Sequence, residues 1–264
     1  MDRRLIALAL AAALAGGGAI AQQAPAPARP TGYLTAQTWP DAAVILPKAP
    51  ETGSDREAKD QAIFTATRSL EGSARWTLAQ ADVPTAPASM LKTFSCAVGA
   101  ELTPETAPRL MTLFGRYGAD AGAQVRAVKD VFKRKRPYLI TDGPICVPKS
   151  PDLAASPDYP SGHSTYGWGL GLILAELAPD RATPILTRAR AFGESRVVCG
   201  VHSASAVEAG RTNGAALVAA LHGDPAFRAD LEAARAELAG LRKNTPALPA
   251  TCTAEAELVG KAAY

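Results

Sequence analysis

The chain contains three histidines, and two of them lie in local sequences suited to chemistry on an anion. His163 ends the segment Pro160-Ser161-Gly162-His163, and His202 follows Ser195-Arg196 after five intervening residues. An imidazole can act as a nucleophile or as a general acid and base near neutral pH. Two such rings in one site predict a reaction in which one ring attacks and the other moves a proton.

Cations and backbone N–H groups accompany these histidines. Lys129 and Arg136 are seven residues apart, so on one helix they are predicted to point to the same side, with Arg136 at the frayed end. Arginine presents a planar fork that fits phosphate, and lysine supplies a point charge. Ser161 and Gly162 would offer N–H groups at a helix N-terminus, which is a natural anion site. With Arg196, these residues are the predicted phosphate-binding set, and phosphoryl transfer is the predicted chemistry.

Each of these residues also has a purely structural interpretation. Lys129 is followed by the charge run Lys133-Arg134-Lys135, which is typical of a solvated helix end. His163 could cap a helix, and Arg196 could form a surface ion pair. Taken singly, the motifs are weak. Their order and combination are much more specific than any one of them.

The combination resembles one bacterial enzyme family. Lys129-x6-Arg136-Pro137, then residues 160–163, then Ser195-Arg196-x5-His202 match the signature of the class A non-specific acid phosphatases, which share a superfamily with phosphatidic acid phosphatases and vanadium haloperoxidases. The resemblance implies that His202 is the nucleophile and His163 the general acid. It also implies a helical, exported and often oligomeric enzyme that acts on small phosphate monoesters.

Two other functions stay open at this point. A vanadate-dependent haloperoxidase would need nearly the same anion site, and a non-catalytic phosphate-binding protein would need only the cations. No cluster of histidine, cysteine or carboxylate residues has the spacing of metal ligands, so we expect no metal and no cofactor.

The sequence departs from the family pattern at one residue. The pattern ends with an aspartate four residues after the second histidine, where this chain has Ala206. A carboxylate there would accept the far N–H of His202 and stabilise the imidazolium, which alanine cannot do. Glu208 is six residues on, nearly on the opposite helix face. A water molecule or a carboxylate from another segment could take the place of the missing aspartate. Without such a substitute, we expect the phosphatase activity to be impaired and Ala206→Asp to raise kcat.

Composition limits the partners and the location. The net charge of +3 is too small to argue for nucleic acid. Arg3 and Arg4, an apolar run and a small-residue site at Ala19-Ile20-Ala21 predict a signal peptide over residues 1–21. After its removal no apolar stretch reaches membrane-spanning length. We therefore expect a periplasmic or secreted protein that does not associate with membranes. The protein could form homo-oligomers.

The apolar periodicity predicts an all-α fold, a compact single-domain helical bundle over residues 56–264 behind an irregular arm at 22–55. One apolar stripe, from Leu110 to Phe132, predicts a long helix that Pro137 ends. Residues 141–160 hold five prolines and predict a loop. Further helices are predicted at 55–70, 86–100, 164–177, 184–193, 204–221 and 225–241.

An even number of cysteines in an exported protein favours two disulfides. Cys96 and Cys146 flank the segment with the first motif, and Cys252 lies in a tail that needs tethering. The predicted pairs are Cys96–Cys146 and Cys199–Cys252, although three pairings are open.

Overall fold

The structure is a computed structural model, and it describes residues 30–245 and 247–264. The predicted signal peptide and the first part of the arm, residues 22–29, lie outside these ranges. The described residues contain helices and loops and no strand, which confirms the all-α prediction. They form eleven α-helices: α1 (Ala42–Ile45), α2 (Asp55–Thr67), α3 (Ala74–Ala81), α4 (Pro87–Val98), α5 (Pro108–Phe132), α6 (Pro151–Ala155), α7 (Gly162–Leu177), α8 (Ala182–Val198), α9 (Ala204–Leu221), α10 (Pro225–Asn244) and α11 (Thr251–Gly260).

Helix α7 lies at the centre of the bundle, with α5, α8 and α9 packed around it. Two glycines on α9 allow the closest of these approaches. A Cβ on Gly210 would lie 2.6 Å from the carbonyl oxygen of Ser161, and one on Gly214 would lie 2.5 Å from that of Thr165. These glycines therefore bring the start of α9 against the start of α7, where the chemistry-bearing motifs lie.

The long helix α5 ends earlier than the sequence predicted. It stops at Phe132, and Lys133 follows in the left-handed region with φ of 47°. Arg136 is therefore not on the helix but in an extended segment beyond it, with φ −69° and ψ 150°. Pro137 alone did not set the end of the helix.

Other boundaries also differ from the prediction. Helix α8 runs on to Val198, so Ser195 and Arg196 lie on its last turn rather than in a connection. The predicted loop at 141–160 contains the short helix α6, and helices α3 and α11 were not predicted.

The irregular arm is confirmed for residues 30–54, apart from the four-residue helix α1. Buried side chains hold it across α5. Asp120 accepts the backbone N–H groups of Tyr33 and Leu34 at 2.8 and 3.1 Å. Gln124 donates to the carbonyl oxygen of Pro40 at 2.7 Å. The arm thus covers the outside of the helix that carries Lys129.

All four cysteines form disulfides, but the predicted pairing is wrong. The pairs are Cys96–Cys252 and Cys146–Cys199. The loop before α6 lies along the end of α8, where the N–H of Cys146 donates to the carbonyl oxygen of Cys199 at 3.0 Å. Helix α11 packs on α4 and α8, which brings Cys252 to Cys96. None of the helices described is both long enough and apolar enough to cross a membrane.

Candidate active site

Five of the predicted site residues line one cleft of about 670 Å³ between α5, α7 and the turn after α8. They are Lys129, Arg136, Gly162, His163 and His202. The other two, Ser161 and Arg196, are buried beside the cleft. Residues from four separate segments therefore meet as the motifs predicted.

Arg196 is a buried cation with unused donors. Its Nε and Nη1 have no hydrogen-bond partner among the described residues. Burial, together with the charge of Arg136, lowers its pKa to about 10, so the guanidinium stays protonated at neutral pH. A buried donor without a partner is costly, and a buried charge without one more so. Arg196 therefore has the properties of a ligand-binding group whose partner is an anion.

Lys129 and Arg136 lie at the same end of the cleft. Arg136 Nε donates to the carbonyl oxygen of Ser156 at 2.7 Å, and Nη1 donates to that of Val201 at 2.7 Å. These bonds fix the guanidinium beside His202. Burial lowers the pKa of Lys129 to about 8, and the charge of Arg136 contributes to this lowering. At neutral and acid pH the cleft therefore holds three cations.

Ser161 is the N-cap of α7 rather than a free backbone donor. Its N–H donates to the carbonyl oxygen of Ala206 at 2.9 Å, and its Oγ accepts the N–H of Ser164. Its hydroxyl hydrogen is left to donate. The first N–H groups of a helix, here those of Gly162 and His163, have no intrahelical acceptor. The helix N-terminus at the cleft begins one residue later than the predicted pair implied.

The imidazole of His202 is held at both nitrogens. Arg136 Nη1 lies 3.2 Å from Nε2, and Asp158 Oδ1 lies 2.9 Å from Nδ1. Asp158 has no exposed surface and also accepts from Ser203, through the backbone N–H at 3.1 Å and through Oγ at 2.5 Å. Arg134 Nη1 lies 3.4 Å from its second oxygen.

His163 faces the cleft from the first turn of α7. Its Nε2 lies 2.9 Å from the carbonyl oxygen of Val83, and its ring stacks on Phe192 with centroids 5.9 Å apart. A carbonyl oxygen can only accept, so Nε2 carries the hydrogen and Nδ1 is the nitrogen left for the cleft. The orientation of this histidine is therefore set by the backbone at the end of α3.

The surroundings of both histidines favour the neutral ring. Burial lowers the pKa of His202 well below its usual range, and the charges of Arg136 and Lys129 lower it further. Burial and then Arg196 have the same effect on the pKa of His163. A neutral imidazole has a free lone pair, which a nucleophile requires. A bound anion would offset the nearby cations and raise both pKa values.

Sequence reasoning missed two groups that orient the histidines, Asp158 and the carbonyl oxygen of Val83. Asp158 lies two residues before Pro160-Ser161-Gly162-His163, and its place beside a motif was the only available signal. No sequence pattern marks a backbone carbonyl as a partner of His163. Ala206 itself is fully buried in an apolar cluster with Val128 and Tyr159.

Comparison with known proteins agrees with this geometry. A family model described as the PAP2 superfamily matches residues 110–228, which contain every site residue named above except Val83. An acid phosphatase of Zymomonas mobilis subsp. mobilis is 44% identical over 199 residues, which cover 75% of each chain. A non-specific acid phosphatase of Providencia stuartii is 35% identical over 213 residues, 80% of this chain and 86% of that one. One of Salmonella typhimurium is 35% identical over 201 residues, 73% and 78% of the two chains.

The matches span the bundle and are not confined to the motifs. Identity of this level over most of both chains goes with a shared fold. The chain therefore belongs to the non-specific acid phosphatases of the PAP2 superfamily.

Proposed function

We propose that the chain, an acid phosphatase, hydrolyses small phosphate monoesters through a covalent phosphohistidine on His202. The observation that carries this mechanism is the arrangement around Nε2. That nitrogen lies beside Arg136 in a cleft with Lys129, and the charge of the buried Arg196, which has donors without partners, also acts on the ring. The three cations bind the phosphoryl oxygens and stabilise the charge of the transition state.

The first step transfers the phosphoryl group to the enzyme. The Nε2 lone pair of His202 forms a bond to phosphorus as the ester P–O bond breaks. The leaving oxygen takes a proton from Nδ1 of His163, whose pKa rises when the phosphate anion lies beside Arg196. The alcohol leaves, and the ring of His202 carries the phosphoryl group.

The second step returns the enzyme to its starting state. Water attacks phosphorus from the side that the alcohol has left, and Nδ1 of His163 accepts its proton. The P–N bond breaks, and its electron pair returns to Nε2 of His202. Inorganic phosphate leaves, and both rings are neutral or protonated as before. No step requires a metal ion, so we expect activity to persist in EDTA.

The alternatives have less support. The relatives reported above are phosphatases by name, and none of the described geometry favours a haloperoxidase. The only argument for a non-catalytic phosphate binder was the missing aspartate at position 206. Asp158 contacts Nδ1 of His202, which is the ring nitrogen that such an aspartate would have contacted.

Trapping the intermediate tests the mechanism. We expect wild-type protein, quenched during turnover of a ³²P-labelled monoester, to carry acid-labile and base-stable label. His202→Ala should lose both label and turnover. His222→Ala is the matched control, because the imidazole of His222 is partly exposed and pairs with Glu176. Turnover by His202→Ala at the wild-type rate would refute the mechanism.

We also propose that the protein is exported. Residues 1–21 have the pattern of a signal peptide, and all four cysteines are oxidised in pairs, which fits an oxidising compartment. Fractionation of cells that express the full chain would test this, since the protein should leave the cytoplasm with the first residues removed.

A further inference from the structure

Asp158 has a fixed position that no other carboxylate near His202 shares. Its Oδ1 accepts from the ring Nδ1 at 2.9 Å and from the N–H of Ser203 at 3.1 Å. Its own N–H donates to the carbonyl oxygen of Arg134 at 2.8 Å. Both the side chain and the backbone of Asp158 are therefore held against the imidazole.

These contacts select one tautomer of His202. Burial raises the pKa of Asp158, while Arg134 and the two donors of Ser203 act in the opposite direction and favour the carboxylate. A carboxylate can only accept hydrogen bonds, and the guanidinium of Arg136 can only donate them. Asp158 therefore requires a hydrogen on Nδ1, and Arg136 requires a lone pair on Nε2. The two contacts agree, and both leave Nε2 as the nitrogen that can attack phosphorus.

We infer that Asp158 is the positioning residue of His202, and that it supplies from the loop before α7 the carboxylate that the family pattern places at position 206. This inference rests on the proposed function. Asp158 fixes the reactive tautomer and stabilises the cationic ring of the phosphohistidine. Ala206 therefore does not indicate an impaired enzyme. A carboxylate still contacts the ring of His202, although it comes from a different position in the sequence.

A second layer of charge holds Asp158. Arg134 spans two buried carboxylates, 3.4 Å from Asp158 and 2.8 Å from Asp60. Asp60 accepts from the N–H and Oγ of Ser205 at 2.9 and 2.5 Å. Asp60 thus shares the burial and the arginine of Asp158, but it does not contact the imidazole. It is the matched control.

The first experiment compares Asp158→Asn with Asp60→Asn in steady-state turnover of p-nitrophenyl phosphate. We expect Asp158→Asn to lower kcat by at least about 100-fold and to change KM by less than about threefold, because the phosphate ligands are intact. Phosphate should inhibit Asp158→Asn at least as well as wild type, since a negative charge near the anion has been removed. Asp60→Asn keeps the carboxylate of Asp158 on the imidazole and should therefore lower kcat far less than Asp158→Asn does.

The second experiment moves the carboxylate. In the Asp158→Asn background, Ala206→Asp should recover at least about tenfold of the lost kcat, because it returns a carboxylate to the position that the family pattern pairs with this histidine. Ala206→Asp alone should not raise kcat, because Asp158 already occupies Nδ1. No recovery in a folded double variant would overturn the claim that Asp158 acts as a carboxylate on this ring.

The tautomer is read directly by ¹⁵N NMR of the imidazole nitrogens. We expect wild type to carry the hydrogen of His202 on Nδ1, and Asp158→Asn to lose that single state. A wild-type Nε2–H tautomer would overturn the inference, even if no variant folds. Asp158→Asn with wild-type kcat and an unchanged tautomer would also overturn it.

The results that would refute the proposed function differ from those that would refute the role of Asp158. Wild-type protein that neither turns over the ester nor accepts the label would refute the phosphohistidine mechanism. Wild-type protein that does both, with Asp158→Asn equally active, would leave the mechanism standing and remove only the role of Asp158.

Discussion

The two sides of the His202 ring differ in how their charges are paired. On the Nε2 side, Arg136 donates to backbone carbonyls, and Arg196, whose charge also acts on the ring, forms no ion pair among the described residues. On the Nδ1 side, Asp158 and Arg134 belong to a buried network in which each carboxylate has several donors. Buried charge without an ion pair is costly unless an anion binds to it, whereas the paired charges form a network that holds the imidazole in place.

This difference predicts opposite results for one substitution made on each side. Arg196→Met should lower kcat/KM by about 10³-fold, because it removes one cation of the proposed phosphate-binding set. The free energy of unfolding of the phosphate-free protein should not fall, because the lost cation had no partner and methionine fills much of its volume. Steady-state kinetics and urea unfolding measure the two effects.

Two results would contradict this view of Arg196. One is a folded Arg196→Met variant with wild-type kcat/KM. The other is a large loss of stability, which would mean that the guanidinium is part of the scaffold. Phosphate should raise the midpoint of unfolding for wild type and raise it much less for Arg196→Met.

Arg134→Met should act on stability. It leaves the carboxylates of Asp60 and Asp158 buried without their cation, and breaking a buried pair in this way costs about 3 kcal/mol. Arg242→Met is the matched control, because its partner Asp180 is 63% exposed and surface pairs contribute less than about 1 kcal/mol. Urea unfolding at neutral pH compares them.

Equal losses of stability in Arg134→Met and Arg242→Met would contradict the distinction between the buried, paired network and an ordinary surface ion pair. Arg134→Met should also lower kcat, because Asp158 would lose one of its anchors. This loss should be smaller than that of Asp158→Asn, since the Ser203 contacts are kept.

Much of the site could be predicted because its motifs are short and continuous in sequence. The spacing around Lys129, Arg136 and Arg196 identified the cations, although the helix carrying the first ended before Arg136. An all-α bundle followed from the apolar stripe of α5 and the scarcity of alternating segments. These features depend on neighbours in sequence, which a single chain displays.

The features that were missed depend on contacts between distant segments. Asp158 is 44 residues from His202, and only the packing of α7 against α9 brings them together. The same holds for the disulfides, because the position of Cys252 is set by how α11 packs on α4 and α8. In both cases the residue types were visible, while the partners were fixed by tertiary structure.

The smallest expected effect concerns the coupling between pH and stability on the Nε2 side. The pKa of His202 is lowered in the folded protein, so below pH 6.5 the unfolded chain takes up a proton that the native ring does not. The unfolded state then binds more protons, and stability falls as pH falls, by up to about 1.4 kcal/mol per pH unit for this ring. The loss continues until the pH reaches the lowered native pKa.

Urea unfolding at pH 7, 6 and 5 in a phosphate-free buffer measures this slope for wild type and for His202→Gln. The difference between the two slopes isolates the ring from the carboxylates, which both proteins share. Phosphate should flatten the wild-type slope, because an anion among Arg136, Lys129 and Arg196 offsets the charges that lower the pKa of His202. Identical slopes for the two proteins would show that the pKa of His202 is the same in the folded and unfolded states, and would contradict a folded ring whose pKa is lowered by burial and by the neighbouring cations.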